Sequence, residues 1–167
     1  MIKTGMYIAG FNAAVAKAHG YKILTNAQGL QYSAKIGSAA SRNSAAFNPA
    51  SDPVKYGKCG DSYIYYRAIG HRAQNPRYIA STFTGYDVIL PVVEGTWKAT
   101  YYDRAGAGTV FDYAATNGTP YWSTEYDTLH AVTGYSWGEV DTNASWVLLD
   151  NGAFCHSAGP WESTNLY

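Results

Sequence analysis

Two patterns in this 167-residue chain place a nucleophile near groups that could activate it. Gly134-Tyr135-Ser136-Trp137-Gly138 fits G-x-S-x-G, the nucleophile elbow, which sets a serine on a strained turn between a strand and a helix. Cys59 could attack as a thiolate if His71, His130 or His156 took its proton. Neither pattern has the surroundings its chemistry needs. The text after Gly138, EVDTNASW, has no helical period, and the one histidine downstream, His156, falls in an expected strand. Strands and helices do not alternate as they do in a hydrolase sheet. A glycine-flanked β-bulge is therefore the expected identity of this segment. Cys59 and Cys155 are the only two cysteines, and a structural disulfide between them is the simpler assignment. The alternative is a pair of reduced cysteines buried as small hydrophobes.

The remaining polar chemistry is sparse. His19, His71, His130 and His156 have neither i, i+4 helical spacing nor a cysteine pair beside them, so no metal site and no cofactor is expected. Asp61, Asp103, Asp112, Asp127, Asp141 and Asp150 fall at turns or strand ends, where a carboxylate ordinarily accepts from nearby backbone N–H groups. Aromatic rings point elsewhere. Tyr121, Trp122 and Tyr126 lie in the turn-rich text at 114–128, and Trp161 follows a Gly-Pro turn. Such rings stack on sugar faces, anchor protein interfaces, or cap the ends of a core.

The elements that must position these groups read as strands. The 16 Tyr, 5 Trp and 5 Phe carry much of the apolar mass, and 17 Gly supply turns at short intervals, which favours an all-β domain. The segment 144–161, ASWVLLDNGAFCHSAGPW, is an expected hairpin turning at Asp150-Asn151-Gly152, and GYKILTNAQGLQYSAKI at 20–36 is another. Residues 37–57 read as a long loop. Strands are expected at 61–69, 78–84, 86–93 (interrupted by Pro91), 94–102 and 109–113. Residues 129–140 read as a strand pair or one bulged strand. The expected fold is a single-domain antiparallel β-sandwich or partly open barrel of about eight to ten strands. A bond from Cys59 to Cys155 would enclose most of it.

Length and charge narrow the function. One domain is the prior for a chain of this size. Twelve Lys and Arg balance twelve Asp and Glu with no basic cluster, which argues against a nucleic-acid groove. No apolar run approaches the roughly 20 residues that span a bilayer. Low charge and two distant cysteines indicate an exported, extracellular protein. The start, MIKTGMYIAGFNAAVA, resembles a degraded leader and is expected to be mature chain left after a stronger one is removed. It is read as a flexible or partner-bound segment over 1–18, ahead of one β domain over 19–167. Met6, Tyr7, Ile8, Phe11 and Val15 are its candidate docking residues.

The segments GYKILTN, YGKCGDSYIYYRAIG and LLDNGAFCHSAGPWEST resemble small secreted two-cysteine actinomycete proteins, and about half the chain carries the resemblance. The chain is also similar to the small adaptor subunit of the umbrella-shaped antibacterial toxin particles those bacteria secrete. In those particles the subunit joins a repeat-built stalk to lectin-bearing subunits through a flexible N-terminal segment. The resemblance implies a noncatalytic assembly or adaptor subunit whose partners are other secreted proteins or further copies of itself, and it assigns no binding residue by position. A lectin-like carbohydrate-binding domain using Tyr121, Trp122, Tyr126 and Trp161 is the second expectation. A small hydrolase using Ser136 or Cys59 is the third.

Overall fold

A computed structural model of the chain describes residues 1–38, 57–70, 78–106, 108–114 and 118–167. The expected loop at 37–57 falls almost wholly outside the described residues, as does His71. In chain order the elements are β1 (Ile2–Phe11), α1 (Ala13–Ala18), β2 (Tyr21–Thr25), β3 (Gln31–Lys35), β4 (Lys58–Ala68), β5 (Tyr78–Val88) and β6 (Val92–Tyr102). They continue with β7 (Gly108–Ala114), β8 (Tyr121–His130), β9 (Gly134–Val140), β10 (Trp146–Leu149), β11 (Ala153–Ser157) and β12 (Trp161–Leu166). All pairings are antiparallel, in the order β12-β9-β6-β10-β11-β1-β4-β5-β8, with β7 added to β6 and β2-β3 forming a separate hairpin. The all-β fold is as expected, and the sheet does not close into a barrel.

The N-terminal segment is not a tail. β1 lies between β11 and β4 and pairs with both, and Met6 is only 1% exposed. Its alternation is weak in sequence because Gly5 and Gly10 stand where larger residues would mark it. Two neighbours nevertheless satisfy its backbone on both sides, which holds a strand of small residues in place. Register shifts occur in both pairings of β1, between Met6 and Tyr7 and between Ile8 and Gly10. Such bulges sharpen the bend of a sheet. Here they bring the two strands flanking β1 close enough for Cys59 on β4 to bond Cys155 on β11, with a Cα–Cα distance of 6.0 Å.

Around this corner the sheet folds into two facing parts, and rings fill the space between them. Trp97 of β6 packs on Tyr86 of β5 with centroids 5.1 Å apart and donates its Nε1–H to Thr84 Oγ1 at 3.1 Å. Phe111 and Tyr113 of β7 meet Tyr126 and Trp122 of β8 at 3.8 and 5.3 Å. Where β4 runs beyond β1, side chains of β12 take over its backbone donors: Tyr66 N–H bonds Glu162 Oε2 at 2.9 Å, and Ala68 N–H bonds Thr164 Oγ1 at 3.2 Å.

The hairpin at 144–161 forms as β10 and β11. Its turn residue Gly152 has φ +87°, and a Cβ there would lie 2.5 Å from the Asn12 carbonyl oxygen and 2.9 Å from Ala16 Cβ of α1. Only glycine fits both the backbone and the space. The expected break at Gly85 is absent, because β5 runs continuously through it. Gly85 is required by contact instead: a Cβ would lie 2.1 Å from the Trp122 carbonyl oxygen and 2.7 Å from the Tyr63 hydroxyl.

Candidate binding site

The two nucleophile patterns do not present a nucleophile. Cys59 is oxidised in the disulfide. Ser136 is 0% exposed on β9, with its hydroxyl bonded to the Tyr66 hydroxyl and donating to the Tyr102 carbonyl. The Tyr66 hydroxyl also meets His130 Nε2 at 2.8 Å, Thr128 Oγ1 lies 3.0 Å from the same nitrogen, and Asp103 Oδ2 lies 3.9 Å from His130 Nδ1. Burial holds the His130 imidazole below its ordinary range, with the Asp103 carboxylate pulling the other way. Burial likewise pushes the Tyr66 phenol up, with the Ser136 bond opposing. The network thus joins β4, β8, β9 and the end of β6 as an interior brace buried from solvent.

The two glycines of G-x-S-x-G have separate reasons. Gly134 has φ +108° at the entry to β9. Gly138 lies beneath the Tyr101 ring, where a Cβ would come within 2.3 Å of Cδ1. The segment is therefore a regular strand, not the bulge expected from sequence, and it pairs without a register shift to β12 and β6.

Because β9 is regular, its alternate residues face outward and build a surface that sequence reasoning missed. Tyr135 and Trp137 stack at 5.7 Å, and Trp137 stacks on its cross-strand neighbour Tyr102 at 5.0 Å, with the planes 20° apart. Ser163 and Asn165 of β12 lie directly opposite Trp137 and Tyr135, and Trp161, 57% exposed, lies opposite Glu139. Beside Trp161 is a depression of about 170 Å³ lined by Glu139, Asp141, Thr142, Asn143 and Gly159. Four rings thus share one outer face with amide, hydroxyl and carboxylate groups. The signal available in sequence was the plain alternation of Tyr135, Trp137 and Glu139 against Ser136, Gly138 and Val140.

The other expected site residues separate. Tyr121, Trp122 and Tyr126 lie on β8, not on a loop; Tyr121 is exposed, while Trp122 and Tyr126 turn inward onto Tyr113, Phe111 and Tyr101. Trp122 and Tyr126 therefore serve packing, and Trp161 alone of the four lies on the ring-bearing face. Among the candidate docking residues, Met6 is core, Ile8 and Phe11 pack against the core, Tyr7 stacks on His156 at 5.9 Å, and Val15 is half-buried in α1. Among the described residues, no three His, Cys, Asp or Glu side chains converge as a metal site would require, and no helix is long and apolar enough to cross a membrane.

No protein-family model matches the chain, and no curated protein matches it. Among solved structures it is similar to one described as "X-ray structure of Northeast Structural Genomics Consortium target SoR45", with a TM-score of 0.41 and 10% identity over 61% of this chain and 82% of that one. That degree of likeness carries no argument about function.

Proposed function

We propose that this chain is a noncatalytic, extracellular binding domain that recognises carbohydrate on the outer face of β6, β9 and β12. The observation that carries the reading is the stacked row Tyr135–Trp137–Tyr102 with Trp161 beside it, all on one solvent-facing surface. The apolar faces of pyranose rings pack on such side chains, while Asn165, Ser163 and Glu139 offer directional hydrogen bonds to hydroxyls. The sealed position of Ser136 and the oxidised state of Cys59 support a noncatalytic role. The disulfide and the resemblance to secreted two-cysteine proteins support an extracellular setting.

The test is retention on a glycan array and in polysaccharide-containing gels. Trp137→Ala and Trp161→Ala should each abolish retention of the intact domain while leaving its thermal unfolding within a few degrees of wild type. Failure of wild-type protein to bind any glycan, or retention indifferent to both changes, would refute the assignment. A second reading, assembly with other secreted proteins or with itself, is favoured by the chemistry of the opposite outer face, formed by β4, β5 and β8. The adaptor relationship expected from sequence belongs to this reading, although β1 is not free to act as its tether.

A further inference from the structure

We infer that the outer face of β4, β5 and β8 pairs with the same face of a second copy of this chain, an inference that rests on the assembly reading and names its partner. Cross-strand register arranges the outward residues of these three strands in rows. The first is Ile69, Ile79 and Leu129, all exposed, with the Ile69 backbone N–H bonded to the Ile79 carbonyl and Ile79 opposite Leu129. The second is Arg67, Ser81 and Asp127, and the third is Tyr65, Phe83 and Glu125. Tyr65 stacks on Phe83 at 4.9 Å, and Arg67 lies over the Tyr65 ring at 5.9 Å.

Each of these three rows remains complementary when its left and right ends are exchanged, whereas the far row, Asp61, Asp87 and Tyr121, would set Asp87 against Asp87 and lies outside the contact. A two-fold axis along β5 makes that exchange, because it lays β4 of one copy over β8 of the other and β5 over β5. The aliphatic row then covers itself, with Ile79 against Ile79 and Ile69 against Leu129. Arg67 meets Asp127 of the second copy twice, once on each side of the axis. Phe83 meets its symmetry mate at the centre, and the Tyr65 hydroxyl comes within reach of the second copy's Glu125. An isologous contact requires this self-complementarity, and unrelated partners do not.

Edge-to-edge pairing of β8 is disfavoured by the same residues, since Glu125 and Asp127 would confront like charges along the shared edge. Three strands at about 4.8 Å spacing and three rows at about 6.6 Å cover roughly 290 Å² per copy, or roughly 570 Å² for both. That is well below the size of a standard interface and fits a weak dimer populated at hundreds of micromolar or above.

Sedimentation equilibrium across a concentration series tests the pairing. Wild-type protein should pass from monomer to dimer. Arg67→Asp and Asp127→Arg should each weaken dimerisation by roughly tenfold or more, since two attractive pairs become repulsive. An equimolar mixture of the two variants should dimerise again, because both cross-copy pairs regain opposite charges. Unchanged unfolding midpoints establish that the variants remain folded. A wild-type protein that stays monomeric to about 1 mM, or a dimer indifferent to these reversals, overturns the inference. Glycan retention by the opposite face is measured on the same samples, so failure of one surface is distinguishable from failure of the other.

Discussion

Gly138→Ala is expected to strain the interior through one contact. A Cβ at this position would lie 2.3 Å from Tyr101 Cδ1, 2.4 Å from Cε1 and 3.3 Å from Ile64 Cδ1. Gly138 has no left-handed backbone to preserve, so the penalty is steric alone. The Tyr101 ring must retreat by about 1 Å to restore ordinary contact, yet it is fully buried among Tyr66, Phe111 and Tyr126 at 5.1, 6.1 and 5.7 Å. Overpacking a filled core costs about 1–3 kcal/mol, and a ring hemmed on several sides places this case near about 2–3 kcal/mol. Urea unfolding with the disulfide intact, followed by tryptophan fluorescence and far-UV circular dichroism together, measures the loss. Tyr101→Leu alone should also destabilise, by about 2 kcal/mol through lost burial. In the double variant the added methyl occupies space the ring has vacated, so the combined loss should fall short of the sum by about 1 kcal/mol or more. Gly10→Ala is the control: nothing lies within 4 Å of its Cβ position, and the change should cost under about 0.5 kcal/mol. Additivity of the two core changes within about 0.5 kcal/mol would refute the argument.

Reduction of Cys59–Cys155, separated by 96 residues, should remove about 4.7 kcal/mol in the chain-entropy model, measurable as a shift in urea midpoint between oxidised and reduced protein. His130 titrates below its ordinary range when folded, so its linked stability is present above the unfolded pKa of about 6.5 and is lost as pH falls through the interval down to the folded value. The unfolding midpoint of wild type should therefore drop on acidification more than that of His130→Asn, and equal slopes would count against the buried neutral imidazole. At the alkaline end, burial pushes Tyr101 up to about 12. Its contribution is intact below about pH 10 and declines as pH rises from there to about 12, a decline that Tyr101→Phe should remove from the measured profile.

The hairpin at 144–161 was legible because its turn chemistry and apolar run agree, and the disulfide because only two cysteines were present to pair. β8 was harder to read. Its inward residues are Trp122, Thr124, Tyr126, Thr128 and His130, so three of the five are polar and the face resembles loop composition. Thr128 is accommodated by donating to the Ala80 carbonyl at 3.3 Å, a compensation visible only after β8 has paired with β5. The same holds for Ser136, whose interior partners come from β4 and the end of β6. The ring-bearing face escaped notice for a related reason. Tyr135 and Trp137 lie two positions apart in sequence, but Tyr102 joins them only through the β6–β9 register, and Trp161 only through β12.

The position of β1 sets the order in which this chain can become a protein. As the ribosome releases it, the first strand finds one neighbour only after β4 has been made and the other only after β11, more than 140 residues after β1 itself begins. Until then β1 can be paired on the β4 side alone, and the bend that carries the disulfide cannot form. Pairings this distant in sequence are slow to close. Closure of this corner is consequently deferred to a late stage of synthesis, and the disulfide, which needs both flanking strands in place, can form only after it.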